Sequence, residues 1–193
     1  MLNAPVPGID RDAVLARLMT AHGDGVLRVC YLYLKDFALA QDVTQTAFLK
    51  AWEALTHPSA ATQSLFGSPA APASPESECE KTRQEKAWMM RIAVNTCKNT
   101  LKSREFRLYA KATPLDQLPE PGYCPDTPDD TVLQAVLSLP ERYREVVVLH
   151  YYQLMPLTDV ASALRLPQAT VRTRLHRARK LLQPQLKGWY FDE

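Results

Sequence analysis

LPERYREVVVLHYYQLMPLTDVASALRLPQATVRTRLHRARKLL, residues 139–182, is the stretch whose reading decides the fold. Pro156 opens a short helix at a position where its missing N–H costs nothing. That helix carries Val160, Ala161 and Leu164 on its inward side. Arg165, Leu166 and Pro167 form a tight turn, and a second helix starts at about Gln168. On it Val171, Leu175, Ala178 and Leu182 recur at helical spacing and face the core. Arg172, Thr173, His176 and Arg179 point the other way, with Arg177 to one side. A short helix, a tight turn and a longer basic helix together describe a helix-turn-helix. The major groove of duplex DNA admits one helix, and an arginine can bond bidentately to guanine O6 and N7. The remaining cations can hold phosphates. A solvated basic face on an ordinary amphipathic helix accounts for the cations but not for the short helix and turn before them.

The charge distribution around this stretch agrees. Net charge is only +2, so bulk electrostatics does not announce a polyanion partner. Yet 160–191 contains no acidic residue, while Arg165, Arg172, Arg174, Arg177, Arg179, Lys180 and Lys187 are basic. Residues 113–130 hold no Lys or Arg, while Asp116, Glu120, Asp126, Asp129 and Asp130 are acidic. Segregation of this kind points to a local polyanion site and an acidic segment elsewhere. The acidic segment is also rich in Pro, which stiffens it, and is expected to be a linker over 111–128.

Towards the N-terminus, Asp10 is a plausible cap for a helix bearing Val14, Leu15, Leu18 and Met19. A second helix is expected over 26–34 and a third over 39–55, with Val43, Ala47, Phe48, Ala51 and Leu55 on one face. Residues 57–80 read HPSAATQSLFGSPAAPASPESECE, and four prolines among Ser and Ala predict a long loop. A helical pattern resumes near Gln84 and runs to about Arg107. Its apolar side is Trp88, Ile92, Ala93, Cys97 and Leu101; Arg91, Asn95, Lys98 and Lys102 line the other. Trp88 is expected to pack in the core rather than stack on a base. The expectation is an all-α chain of two small helical domains, 8–110 and 129–190.

At this point the sequence resembles the extracytoplasmic-function group of the sigma-70 family of RNA polymerase sigma factors. The 139–182 stretch is similar to their fourth region, which binds the −35 promoter element. LAQDVTQTAFLKAWEAL (39–55) resembles the second-region helix that docks on the polymerase clamp. AWMMRIAVNTCKNTLKSREFR (87–107) resembles the helix that opens and reads the −10 element. The resemblance implies a region 2 helical bundle and a region 4 helix-turn-helix. It assigns Asp42, Gln45 and Leu49 to polymerase contact and Arg91, Asn95, Lys98 and Lys102 to the −10 strand. It assigns Gln168, Arg172, Thr173, His176 and Arg177 to the −35 element. A separated strand needs positive charge along its backbone and polar groups for unstacked bases, and the stripe from Arg91 to Lys102 supplies both. Core RNA polymerase and promoter DNA are the implied partners, with an anti-sigma factor a further one by analogy.

The chain departs from the family in three places. Relatives have a short loop where this chain has 57–80, and the insert is expected either to alter promoter choice or to be a tolerated insertion. Thr46 stands where relatives commonly have Glu. Leu154, Arg165 and Ala169 replace glycines common in the family's helix-turn-helix, so the turn is expected to be slightly reshaped.

Other function classes find little support. The sequence has no glycine-rich phosphate loop, no GxSxG and no HExxH, so catalysis by this chain is not expected. His22, His57, His150 and His176 are scattered, and the four cysteines form no CxxC pair, so neither a metal nor a cofactor is expected. Those widely spaced cysteines fit a reduced, cytoplasmic protein. No apolar run approaches a membrane span, and MLNAPVPGID lacks the marks of a signal peptide. A stand-alone helix-turn-helix regulator is the competing reading.

Overall fold

The computed structural model describes residues 10–67, 75–103 and 130–186. The acidic linker expected over 111–128 lies outside them. Every regular element among the described residues is a helix: α1 (Arg11–Leu34), α2 (Phe37–Thr56), α3 (Ala60–Phe66), α4 (Pro75–Lys102), α5 (Asp130–Ser138), α6 (Glu141–Val147), α7 (Leu157–Leu164) and α8 (Gln168–Leu182). A π-helical turn (Val148–Tyr152) continues α6.

The first three long helices make one bundle. Asp10 caps α1 by accepting from the Ala13 N–H at 3.1 Å, and Asp36 caps α2 by accepting from the Leu39 N–H at 2.9 Å. Lys35, in left-handed backbone at φ 61°, turns the chain between them. Leu18, Val26 and Val29 of α1 meet Val43, Ala47 and Leu55 of α2, and α4 closes the bundle with Met89, Ala93 and Val94, all buried. Each of the Val, Leu and Met side chains contributes about 1.5–3 kcal/mol by leaving water, and each Ala methyl about 0.8 kcal/mol.

Two expectations fail here. The separate helices expected before residue 35 are one continuous α1, which runs through Gly23 and Gly25. Glycine weakens a helix by about 1 kcal/mol but does not end it when tertiary packing holds both flanks. Gly25 also has a packing role. A β-carbon there would stand 2.8 Å from the Gln153 side-chain oxygen, whereas at Gly23 the space is open.

The 57–80 stretch is not a continuous loop. Ser59 caps α3, and Phe66 packs edge-on against the buried Trp88 ring with centroids 5.0 Å apart. Helix α4 begins at Pro75, well before Gln84, and just past the expected start it carries Glu85, whose side chain is only 1% exposed. The Arg17 guanidinium grips that carboxylate through two hydrogen bonds, the Nη2 one at 2.8 Å. A buried carboxylate stripped of its partner costs about 3–5 kcal/mol, so this pair anchors α4 to α1.

The second unit packs α6 on α8 and α7 on α8 around Val146, Val160, Val171 and Leu175. Two of the three replaced glycine positions take left-handed backbone, Arg165 between α7 and α8 and Leu154 ahead of α7. Leu154 and Arg165 hold φ of 52° and 55°, the left-handed conformation for which glycine is suited. Leu166 N–H reaches the Ala161 carbonyl at 3.0 Å and Arg165 N–H the Ser162 carbonyl at 3.3 Å, which is the Schellman pattern. Arg165 in this turn and Leu154 ahead of α7 each carry about 1–2 kcal/mol of strain as non-glycine residues.

Candidate nucleic-acid interface

The register of α8 divides it cleanly. Val171, Leu175 and Ala178 are buried, while Gln168, Arg172, Thr173, His176 and Arg177 are all exposed on the opposite side. Leu182 is only partly buried. The Thr173 hydroxyl donates to the Ala169 carbonyl at 2.9 Å, which fixes its rotamer. Arg142 of α6, which sequence reasoning missed, shares a cleft with Thr173, Arg174 and Arg177. Its guanidinium lies 4.8 Å from the Tyr143 ring centroid, held at the edge of the basic face. Arg142 sits in LPERYRE, outside the helix whose periodicity was legible, and only the packing of α6 on α8 reveals it.

On α4 the polar stripe is present but uneven. Asn95 and Lys102 are exposed, while Arg91 and Lys98 are half-buried. Burial, and next the nearby Arg165 charge, lower the Arg91 guanidinium pKa from its usual value. Trp88 is 7% exposed, in the core where it was expected. His150, part-buried, bonds the Met155 carbonyl through Nδ1 at 2.8 Å, so it is a satisfied packing residue.

A third surface lies along α1 and α2. Asp42, Gln45 and Leu49 are exposed on α2, and Leu49 is 63% exposed. Gln45 and Leu49 line a groove of about 760 Å³ with Leu15, Met19, Phe48 and Trp52. Met19 and Trp52 are 51% and 39% exposed. Exposed apolar side chains are thus grouped here rather than scattered singly over the surface. Thr46 turns its hydroxyl back to the Asp42 carbonyl at 2.9 Å, so it offers this face no charge.

Comparison with known proteins identifies the family. Residues 18–63 match the family description Sigma-70 region 2, and 129–182 match Sigma-70, region 4. The RNA polymerase sigma-H factor of Pseudomonas aeruginosa is 30% identical over 183 residues, covering 84% of this chain and 82% of that protein. This chain belongs to the sigma-70 family of RNA polymerase sigma factors. Its relatives include the ECF RNA polymerase sigma factor SigW of Bacillus subtilis, 26% identical over 92% of this chain and 91% of that one. That places the chain in the extracytoplasmic-function group. The fold is shared with the sigma factor RpoE crystallised with the anti-sigma factor NepR from Bartonella quintana. There the TM-score is 0.64 at 18% identity, over 95% of this chain and 99% of that one. CnrH in complex with the cytosolic domain of CnrY gives 0.58 at 22% identity over 92% and 90%.

In this sigma factor the two units are not independent. Glu145 of α6, 4% exposed, lies where they meet. Its Oε2 accepts from the Tyr33 hydroxyl of α1 at 3.0 Å and pairs with the Lys98 ammonium of α4 at 2.7 Å. Its Oε1 takes a hydrogen bond from Arg174 of α8. Burial first, and the Glu145 charge second, raise the Tyr33 phenol well above its usual pKa. The Gln153 amide, placed by the π-helical turn, donates to the Gly25 carbonyl at 3.1 Å. Arg83 of α4 pairs with Asp159 of α7 at 3.3 Å. Sequence reasoning gave Glu145 no role, because nothing local marks a carboxylate whose partners lie on three other helices.

No helix among the described residues is long and apolar enough to cross a membrane.

Proposed function

We propose that this sigma factor docks on core RNA polymerase through the α1–α2 groove and reads promoter DNA with α4 and α8. The observation that carries this is the division of α8, with Val171, Leu175 and Ala178 buried and Gln168, Arg172, Thr173, His176 and Arg177 presented together. A helix of these dimensions fits the major groove, where Arg172 and Arg177 suit guanine and Gln168 suits adenine. These five contact the −35 element, and Arg142 adds a phosphate contact at its edge.

Arg91, Asn95, Lys98 and Lys102 contact the separated −10 strand, with cations along its backbone and an amide for an unstacked base. Asp42, Gln45 and Leu49 contact the polymerase, and Met19 and Trp52 supply the apolar part of that surface. The chain divides at 8–110 and 129–190, joined by the 111–128 linker. It acts in the cytoplasm, an anti-sigma factor is a third partner, and the chemistry of RNA synthesis belongs to the polymerase.

The test is initiation from a cognate promoter by the full chain with core polymerase, using separate base changes in the two elements. Alanine at Arg172 or Arg177 is expected to relax discrimination in the −35 element only, and alanine at Asn95 in the −10 element only. Variants that alter neither element's discrimination would refute the assignment.

A further inference from the structure

Cys30 of α1 and Cys97 of α4 meet inside the first bundle. Both are free thiols at 0% exposure, away from the nucleic-acid and polymerase surfaces described above. They come together because α1 packs on α4, and the Cys97 thiol donates a hydrogen bond to the Cys30 sulfur. The Thr44 hydroxyl of α2 lies within hydrogen-bond reach of the same sulfur, so three helices converge on it. A single buried cysteine behaves as a small apolar side chain. Two thiols in contact have a chemistry that neither has alone, since a small approach brings them to the S–S bond length of about 2.05 Å.

The surroundings make the two sulfurs unequal. The hydrogen bond from Cys97 lowers the Cys30 pKa, against the opposing effect of burial and with help from Thr44. Donation to Cys30, and then burial, raise the Cys97 thiol far above its usual value. Cys30 is therefore the sulfur that ionises and attacks, and Cys97 the one that stays protonated and resolves. Both are reached only as the bundle opens locally, whereas Cys79, on the early part of α4, is exposed at all times.

We propose that Cys30 and Cys97 are a modification site for a hydroperoxide, closing to a reversible disulfide that bolts α1 to α4. The Cys30 thiolate attacks a peroxide oxygen, and the O–O bond breaks to leave a Cys30 sulfenic acid and a hydroxide or alkoxide, which takes up the proton Cys30 lost. Cys97 then attacks the Cys30 sulfur. The S–S bond forms, the S–O bond breaks, and the hydroxide leaves as water with the Cys97 proton. The two thiols lose two electrons, and the peroxide is reduced to two waters, or to water and an alcohol. A small thiol reverses the bond by exchange, so in a reducing compartment it is transient. The bond closes a long loop that holds α2 and α3, which restricts the unfolded chain. It also fixes to α1 the turn of α4 on which Asn95 and Lys98 flank Cys97.

The test uses the full chain carrying Cys79→Ser and Cys124→Ser, which leaves this pair as its only thiols. It is treated with hydrogen peroxide, unfolded in the presence of a maleimide, and weighed intact. The expected product has lost two hydrogens and takes up no maleimide, and after dithiothreitol it takes up one at each cysteine. Its Tm is expected to lie about 10 °C above that of the reduced chain, because the closed loop is long. Cys97→Ala on the same background removes the resolving thiol, so Cys30 is expected to stop at the sulfenic acid and be trapped by dimedone. If that variant does not fold, the mass of the chain with both cysteines decides alone. Maleimide at both cysteines after peroxide, or oxygen retained on either sulfur in place of the bond, would overturn the pairing. A disulfide that leaves Tm unchanged would overturn the bolt.

Discussion

Two glycines two residues apart on α1 are predicted to respond differently to the same change. Replacing a helix-interior glycine with alanine gains about 1 kcal/mol when the site is empty, from the lost freedom of the unfolded chain and better helix propensity. At Gly23 no atom stands within 4 Å of the added carbon, so Gly23→Ala is expected to stabilise by about that amount. At Gly25 the added carbon meets the Gln153 oxygen at 2.8 Å and the Met90 methyl at 3.3 Å. Gln153 is 4% exposed and donates to the Gly25 carbonyl, so moving it breaks a buried hydrogen bond across the seam. An unsatisfied buried amide costs about 1–3 kcal/mol, which offsets or exceeds the propensity gain. Thermal unfolding followed by circular dichroism checks both variants. Gly23→Ala is expected to raise Tm by about 2–4 °C and Gly25→Ala to leave it unchanged or lower it. Equal stabilisation by both would refute the assignment of Gly25 to the seam.

Three further outcomes are expected. Arg172→Ala should cost about 1–3 kcal/mol against the preferred −35 sequence and much less against a base-substituted duplex, in fluorescence anisotropy at fixed salt. Leu49→Asp should weaken binding to core polymerase at least tenfold, measured by titration, while Tm stays within the small range of surface substitutions, because Leu49 is 63% exposed. His22 has its pKa lowered, mainly by burial and then by Lys86, so the unfolded chain takes up its proton more readily than the folded one. Stability contributed by neutral His22 is complete above its ordinary value of about 6.5 and is lost as pH falls through the lower folded value. Urea unfolding of His22→Asn should accordingly show a flatter acid limb below about pH 6.5 than the wild type.

Much of the architecture was written in local periodicity. The α8 register could be read from Val171, Leu175 and Ala178 because one face of that helix is buried and the other charged, and the two faces agree. The core role of Trp88 followed from its neighbours at helical spacing. Where local signals and packing disagree, the reading failed. The pattern before residue 35 was read as two helices where the bundle holds one continuous α1. Four prolines around 57–80 hid α3 and the early turns of α4, because α3 falls between two of them and α4 begins at Pro75 itself, the first helical position, where proline is tolerated. At Leu154 and Arg165 the side chain itself carries no mark of the left-handed backbone each position adopts, and only the replaced glycines pointed to it. The exposed polar residues of α8 were legible because exposure on a helix follows from register. The Glu145 network was not, since Tyr33, Lys98 and Arg174 converge on it only after four helices have packed.

The central claim is that this chain works as a subunit of RNA polymerase. Size-exclusion chromatography of the purified full chain with core polymerase at moderate salt tests it most directly. A stable stoichiometric complex, lost in Leu49→Asp, is the predicted result. A folded wild-type chain that elutes apart from the polymerase while still binding duplex DNA would contradict it.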